Sequence, residues 1–218
     1  MIGLFQQDPL AFFLAFLLLA FSLALHEAAH AYAAWRFGDP TARRLGRLTL
    51  NPLKHLDPLG TLLLLLVGFG WAKPVPVNPA FLRPYRLGLF AVSVAGIVVN
   101  LLLAVLFALS VRFLWQLSPL EVLLAFRGEG VSPVGVLALA AFFASSINLV
   151  LAVFNLLPIP PLDGSKILQS LLPLSWHPFL WSLERYAWVS FLLILTVLQP
   201  PIRAVLRAVR EAFFGFFL

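Results

Sequence analysis

The sequence predicts an all-α polytopic membrane protein, and three observations carry that expectation. Hydrophobic residues make up 61% of the 218 and charged residues only 11%, with a mean hydropathy of +0.98, a balance found in chains folded in lipid. Three apolar stretches approach or exceed the roughly 20 residues that a helix needs to cross a bilayer. Lysines and arginines gather between those stretches, where cytoplasmic loops carry them. The net charge of +6 is therefore assigned to membrane orientation, and no nucleic-acid partner is expected. There is no cysteine, which excludes disulfides, thiolate metal sites and a cysteine nucleophile; any metal must take nitrogen and oxygen ligands.

Asp8 and Pro9 form an N-cap and first-turn pair and Gly38 a stop, so residues 9–37 are expected as one helix about 43 Å long. Its start lacks the positive region of a signal peptide and its apolar run is too long for one, so it is expected to stay in the mature protein. Residues 38–58 are polar and basic. The stretch "GTLLLLLVGFGW" is too short to cross and is expected to dip in and return. "AKPVPVNPAFLRP" suits an extended loop or an edge strand, since proline alternates with valine. A second span is expected over 87–111, then a loop with Arg112, Glu121, Arg127 and Glu129, then a third span over 134–157, ended by Pro158, Pro160 and Pro161. "GSKILQSLLPL" predicts a short helix, 186–199 a last apolar segment, and Arg203, Arg207 and Arg210 one face of an interfacial C-terminal helix. Residues 1–218 are read as a single membrane domain, with a core over about 9–172 and the C-terminal segment and interfacial helix over about 178–218.

The first helix is interrupted by "HEAAH". An ionised group near the bilayer centre costs several kcal/mol, so such residues face a protein interior and have work to do. His26 and His30 project about 40° apart on one helical face, with Glu27 about 100° round from His26. This is the HExxH arrangement, two imidazoles on one metal and a carboxylate able to reach the metal's open position. A catalytic zinc takes three protein ligands, so a third must come from elsewhere. The candidates are His55, His177, Asp8, Asp39, Asp57 and Asp163. Asp163 stands out, because "NLLPIPPLDGSK" places it just past the third span in a proline-broken segment able to bend into a membrane cavity. His177 reads as an ordinary boundary histidine between Trp176 and Pro178. His55 and Asp57 in "HLDPLG" are expected in a structural or gating role rather than as ligands.

"HEAAH" in a transmembrane helix with "NLLPIPPLDG" about 130 residues later resembles the site-2 protease family of intramembrane zinc metalloproteases, peptidase family M50. "NPLKHLDPLG", "GWAKPVPVNP" and "SVAGIVVN" are similar to its compact prokaryotic branch, and the resemblance runs from Leu23 to Lys166. It implies a core of three transmembrane helices and one zinc per chain, bound by His26, His30 and Asp163. Glu27 would serve as general base and acid and Asn155 in transition-state binding. The implied substrate is a single-span membrane protein cut within or near its transmembrane helix, and the implied location is a prokaryotic inner membrane. Where the family commonly has AGPxxN, this chain has Ala95, Gly96, Ile97 and Asn100 without the proline; Asn100 is kept as a residue that orients a ligand or gates the site.

The chemistry agrees with that resemblance. Zinc lowers the pKa of bound water toward about 7, and a carboxylate beside it can take the proton. A side-chain amide such as Asn155 can donate to a developing oxyanion. The competing reading is a non-proteolytic membrane scaffold or transporter that binds a divalent ion; it has no use for Glu27. No room is left for a PDZ or CBS domain, so substrate selection is expected to rest on the membrane core, lipid or a regulatory membrane partner.

No lysine or arginine precedes Arg36, whereas Arg36, Arg43, Arg44, Arg47 and Lys54 follow closely. The first helix should therefore end in the cytoplasm, with the metal toward that side. For Asp163 to reach the same depth at the C-terminal end of its own span, an odd number of crossings must separate that span from the first helix. Residues 87–111 supply one, leaving Lys73, Arg83 and Arg86 cytoplasmic; a crossing at 186–199 would then put the C-terminal arginines outside, against the charge rule. Lys73, Pro74, Val75, Pro76, Val77 and Asn78 form an exposed strand-like stretch expected to pair with an unwound substrate segment.

Overall fold

The structure is a computed structural model that describes residues 8–67, 70–130 and 132–217. Its regular elements are helices, and among the described residues there is no strand. Helix α1, Pro9–Arg36, begins as its sequence dictates. Asp8 accepts a hydrogen bond from the Ala11 N–H at 3.0 Å and Pro9 opens the first turn. Gly38, at φ +100°, turns the chain away. The fully buried Asp39 then ties two loops together, accepting from the Thr41 N–H at 3.0 Å, ahead of α2 (Thr41–Arg44), and from the Asn78 N–H at 2.7 Å.

The two ends of the short apolar stretch come together. Leu56 and Ala72 form an isolated antiparallel bridge, and the Lys73 N–H donates to the His55 carbonyl at 2.8 Å. Between them stands α3, Pro58–Val67, about 15 Å long by helical rise and so half a bilayer core. Gly68 and Phe69 of this stretch lie outside the described residues.

Helix α4, Tyr85–Leu117, is longer than the expected 87–111 span, running through Arg112 until Ser118 and Pro119 break it. The loop expected around Glu121 and Arg127 is instead a helix, α5 (Pro119–Arg127), with proline in its first turn and Gly128 in the left-handed conformation at its end. Helix α6 covers Pro133–Asn155, with Ser132 capping the Gly135 N–H at 3.0 Å. It stops two residues short of the expected 157, ahead of the prolines. Helix α7 covers Asp163–Leu171, and Arg86 closes its far end by donating to the carbonyls of Ser170, Leu171 and Leu172 at 3.0, 2.6 and 3.1 Å. The last apolar segment is not one straight span. Helices α8 (His177–Arg185) and α9 (Ala187–Thr196) are short, and α9 meets α10 (Gln199–Phe217) at a 70° bend.

Three helices, α1, α4 and α6, are long and apolar enough to cross a membrane, and the bent α9–α10 pair is a candidate fourth. In lipid no hydrophobic force joins helices, so small residues that allow close van der Waals contact must do so. Ala20, Ala24, Ala28, Ala31 and Ala34 form a buried stripe on α1, and Gly88, Gly96 and Ala104 on α4 and Ala138, Ala144 and Ala152 on α6 are buried likewise. Phe13, Leu17, Phe21, Leu102, Leu106 and Phe143 face outward, where lipid would be. His30 meets Val92 and His26 meets Asn100, so α4 runs antiparallel to α1; Asn100 meets Asn148 and Ala104 meets Ser145, so α6 turns back again. One crossing, α4, thus stands between α1 and α6, and "HEAAH" and the end of α6 lie toward the same end of the bundle. Helix α10 ends beside the opposite end of the bundle, where Arg112 donates to the Phe217 carbonyl at 3.4 Å and Phe214 lies 4.8 Å from Phe142.

Candidate metal centre

His26, His30 and Asp163 come together and are all buried. The two Nε2 atoms are 3.0 Å apart, and each lies 3.2 Å from Asp163 Oδ2. The other ring nitrogen explains what these atoms present to one another. His30 Nδ1 stands 2.7 Å from the Val92 carbonyl, which can only accept, so Nδ1 carries the proton and Nε2 turns a lone pair inward. His26 Nδ1 is likewise 2.6 Å from Asn100 Oδ1. Asp163 Oδ2 is buried with no hydrogen-bond partner despite its two close neighbours. Three lone-pair atoms converging in a buried space repel one another unless a cation lies between them. Ligands about 2.0–2.1 Å from a tetrahedral zinc stand about 3.3 Å apart, so the observed spacings and the nitrogen–oxygen donor set fit that ion.

Local backbone demands explain why these residues meet. Asp163 is the first residue of α7, with Leu162 as the N-cap and no side-chain cap bond, so its carboxylate is free of capping work. Gly164 must be glycine: a Cβ there would lie 2.3 and 2.4 Å from the Leu156 and Leu157 carbonyls that end α6. Gly96 makes room for the ligand, since its Cβ would fall 2.5–2.6 Å from three ring atoms of His26.

Glu27, half-buried beside the cluster, accepts the Val75 N–H on Oε2 at 2.8 Å. The stretch Lys73, Pro74, Val75, Pro76, Val77 and Asn78 carries neither helix nor strand. It is pinned at both ends: the Lys73 N–H bonds the His55 carbonyl, Arg47 Nη2 donates to the Lys73 carbonyl at 2.6 Å, and the Asn78 N–H bonds Asp39. A cleft of about 570 Å³ opens on its other side, lined by Val75, Val92, Lys166, Gln169, His177 and Glu184 among others. Two of these, Val75 and Val92, hold Glu27 and His30 through their backbones.

The remaining expected residues make their hydrogen bonds elsewhere than with the cluster. Asn155 ends α6 and donates its amide to the Leu151 carbonyl at 2.9 Å, one turn back in its own helix. His55 is buried with Nε2 2.9 Å from the Thr49 carbonyl, and Asp57 caps the Gly60 N–H at 2.8 Å, so both brace the start of the short apolar stretch. His177 is no exposed boundary residue: it is 3% exposed and bonds the Gln169 carbonyl at 3.1 Å, tying α8 to α7. Asp39, weighed only as a possible ligand, instead ties two loops together, and sequence reasoning missed Ser22 and Asn148. The last carried a usable signal, an amide in the apolar interior of a span.

The description "Peptidase family M50" matches residues 14–198. "Putative zinc metalloprotease YwhC" of Bacillus subtilis is 42% identical over 204 residues, 90% of this chain and 89% of that protein. "Putative zinc metalloprotease Rip2" of Mycobacterium tuberculosis H37Rv is 38% identical over 154 residues, 68% of this chain but 53% of that longer protein. "Putative zinc metalloprotease MJ0611" of Methanocaldococcus jannaschii is 27% identical over 186 residues, 84% of this chain and 81% of that one. The chain therefore belongs to peptidase family M50 and is an integral membrane protein of that family. No solved structure matches it.

Proposed function

We propose that this protein is an intramembrane zinc endopeptidase that cuts transmembrane segments of single-span membrane proteins. The observation that carries the reading is the convergence of three buried lone-pair atoms, from His26, His30 and Asp163, beside the carboxylate of Glu27. Zinc held there would polarise a substrate carbonyl and lower the pKa of a water toward about 7. Asn100 and the Val92 carbonyl hold the two imidazoles in the tautomer that ligation needs. Glu27 takes the proton of the attacking water and delivers it to the leaving amine; for this it exchanges the Val75 N–H for the water. Asn155 contributes to oxyanion binding only after its amide leaves Leu151.

A helix hides its carbonyls in hydrogen bonds, so the substrate must unwind before it can be cut. The stretch from Lys73 to Asn78 receives the unwound segment and holds it extended. Orientation follows from the cations closest to the first span, Arg36, Arg43, Arg44, Arg47 and Lys54, because the first helix usually sets topology; the site then faces the cytoplasm of a prokaryotic cell. The arginines of α10, at the other end of a bent fourth passage, do not override it. Residues 1–218 act as one membrane domain, with substrate choice left to the bundle and to partners in the membrane.

The test is Glu27→Gln in purified protein incubated with a model single-span substrate. It should yield no product while zinc per chain stays near wild type, because the carboxylate moves protons without ligating. Turnover within tenfold of wild type would overturn the assignment.

A further inference from the structure

Behind His26 lies a buried chain of side chains that touches no ligand atom. Asn100 Oδ1 faces His26 Nδ1 at 2.6 Å, Asn100 Nδ2 donates to Asn148 Oδ1 at 2.7 Å, and Asn148 Nδ2 donates to the Ala144 carbonyl and to Ser22 Oγ, both at 2.9 Å. Ser22 Oγ in turn donates to the Leu18 carbonyl at 2.8 Å. Asn100 and Asn148 are fully buried and Ser22 is 5% exposed. The chain joins α1, α4 and α6.

Its direction is fixed from the far end. A main-chain carbonyl only accepts, so the Ala144 carbonyl requires the NH₂ side of the Asn148 amide. Ser22 agrees, because its proton is spent on Leu18 and its lone pairs are what face Asn148. The Asn148 oxygen must then face Asn100, which turns the Asn100 NH₂ toward it and the Asn100 oxygen toward His26. An oxygen there demands the proton on His26 Nδ1 and leaves Nε2 bare. Neither asparagine can flip alone without setting two like groups against each other in a buried space, where an unmade hydrogen bond is expensive.

We infer that Asn148 is a positioning residue for the metal centre: through Asn100 it fixes the tautomer and orientation of His26, so that Nε2 meets the metal as a lone pair. This rests on the reading of His26 as a ligand. The valine carbonyl on His30 does the same work directly; His26, whose neighbour is a reversible amide, needs the second residue.

The test is zinc affinity of the full-length purified protein by chelator competition. Asn148→Leu should bind zinc about tenfold more weakly, the lower end of what partners behind a ligand contribute. Asn100→Leu should lose at least as much, and the double variant should lose no more than Asn100→Leu alone, because Asn148 acts only through Asn100. Wild-type affinity in Asn148→Leu, or a loss that adds in full to that of Asn100→Leu, overturns the inference. A measurement on unsubstituted, zinc-loaded protein guards against a variant that does not fold. With ¹⁵N-histidine labelling, His26 should show an exchange-protected proton on Nδ1, and its absence also overturns the inference. His26→Ala separates the two levels: if it keeps wild-type zinc affinity the ligand assignment fails, whereas loss there with no effect at Asn148 defeats this inference alone.

Discussion

Substituting Gly96 by alanine sets two effects against each other, and the distances say which wins at the metal. In an unencumbered helix, alanine is more favourable than glycine by about 1 kcal/mol. Here the new Cβ falls 2.5 Å from His26 Cε1 and 2.6 Å from both ring nitrogens, whereas carbon contacts settle at about 3.5 Å or more. The ring must retreat by about 1 Å, twice the roughly 0.5 Å tolerance of a functional constellation. Because the new Cβ is almost equidistant from Cε1 and both nitrogens, it lies over the face of the ring, and a retreat away from it carries Nε2 off the metal position while the 2.6 Å contact to Asn100 lengthens only to about 2.8 Å. Holding a ligand that far from its place costs no less than losing the group that orients it, about 10- to 100-fold in metal affinity, or about 1.4–2.7 kcal/mol. G96A should therefore keep its helical content by circular dichroism while zinc binding, read by chelator competition, falls at least tenfold. Gly215 on α10, whose added Cβ would meet nothing within 4 Å, is the control: G215A should bind zinc as wild type does. Wild-type zinc affinity in G96A would refute the reasoning, since it would mean that the imbedded ring has room to give.

Asp163→Ala should lose both zinc and proteolysis, because two histidines alone hold the ion weakly; full zinc occupancy by elemental analysis would send the search for a third ligand to Asp57 or His55. For the substrate, cleavage should fall in the cytoplasmic half of its transmembrane helix, and replacing helix-weakening residues there by leucine should slow it. Mass spectrometry of product termini checks this, and equal rates for both substrates, or a cut beyond the midplane, would sink it.

The long elements were legible because their signals are local. Asp8 with Pro9, and Ser132 with Pro133, mark helix starts, and twenty or more apolar residues leave no choice but a span. The HExxH face needs only helical periodicity, which is why His26, Glu27 and His30 could be named together. What was missed depends on partners distant in sequence. Ser22 and Asn148 are 126 positions apart, and neither has a pattern around it that names the other. Small residues on α1, α4 and α6 read as mere hydropathy until their stripes face one another. At the end of the chain the apolar segment and the arginine-bearing helix could be told apart, yet nothing local announces the 70° bend between α9 and α10. His177 looked superficial because its flanks, Trp176 and Pro178, are those of an interface, while the carbonyl that buries it belongs to Gln169.

The loop that shields Glu27 has a one-sided chemistry. Pro74 and Pro76 have no N–H to give, and those of Lys73, Val75 and Asn78 are already spent on His55, Glu27 and Asp39. What the backbone of the stretch still offers is the carbonyls of residues 74–77 and a single N–H, that of Val77. A second copy of this loop brings the same shortage, so two molecules gain little by zipping together along it, a hazard that other exposed edges must guard against. An unwinding helix brings the donors that this loop lacks, because each backbone hydrogen bond that opens frees an N–H along with its carbonyl. Residues that loosen a helix are then unequal as substrates: glycine, serine and asparagine open the backbone and still hand over an N–H, whereas proline opens it and arrives with nothing to give at its own position.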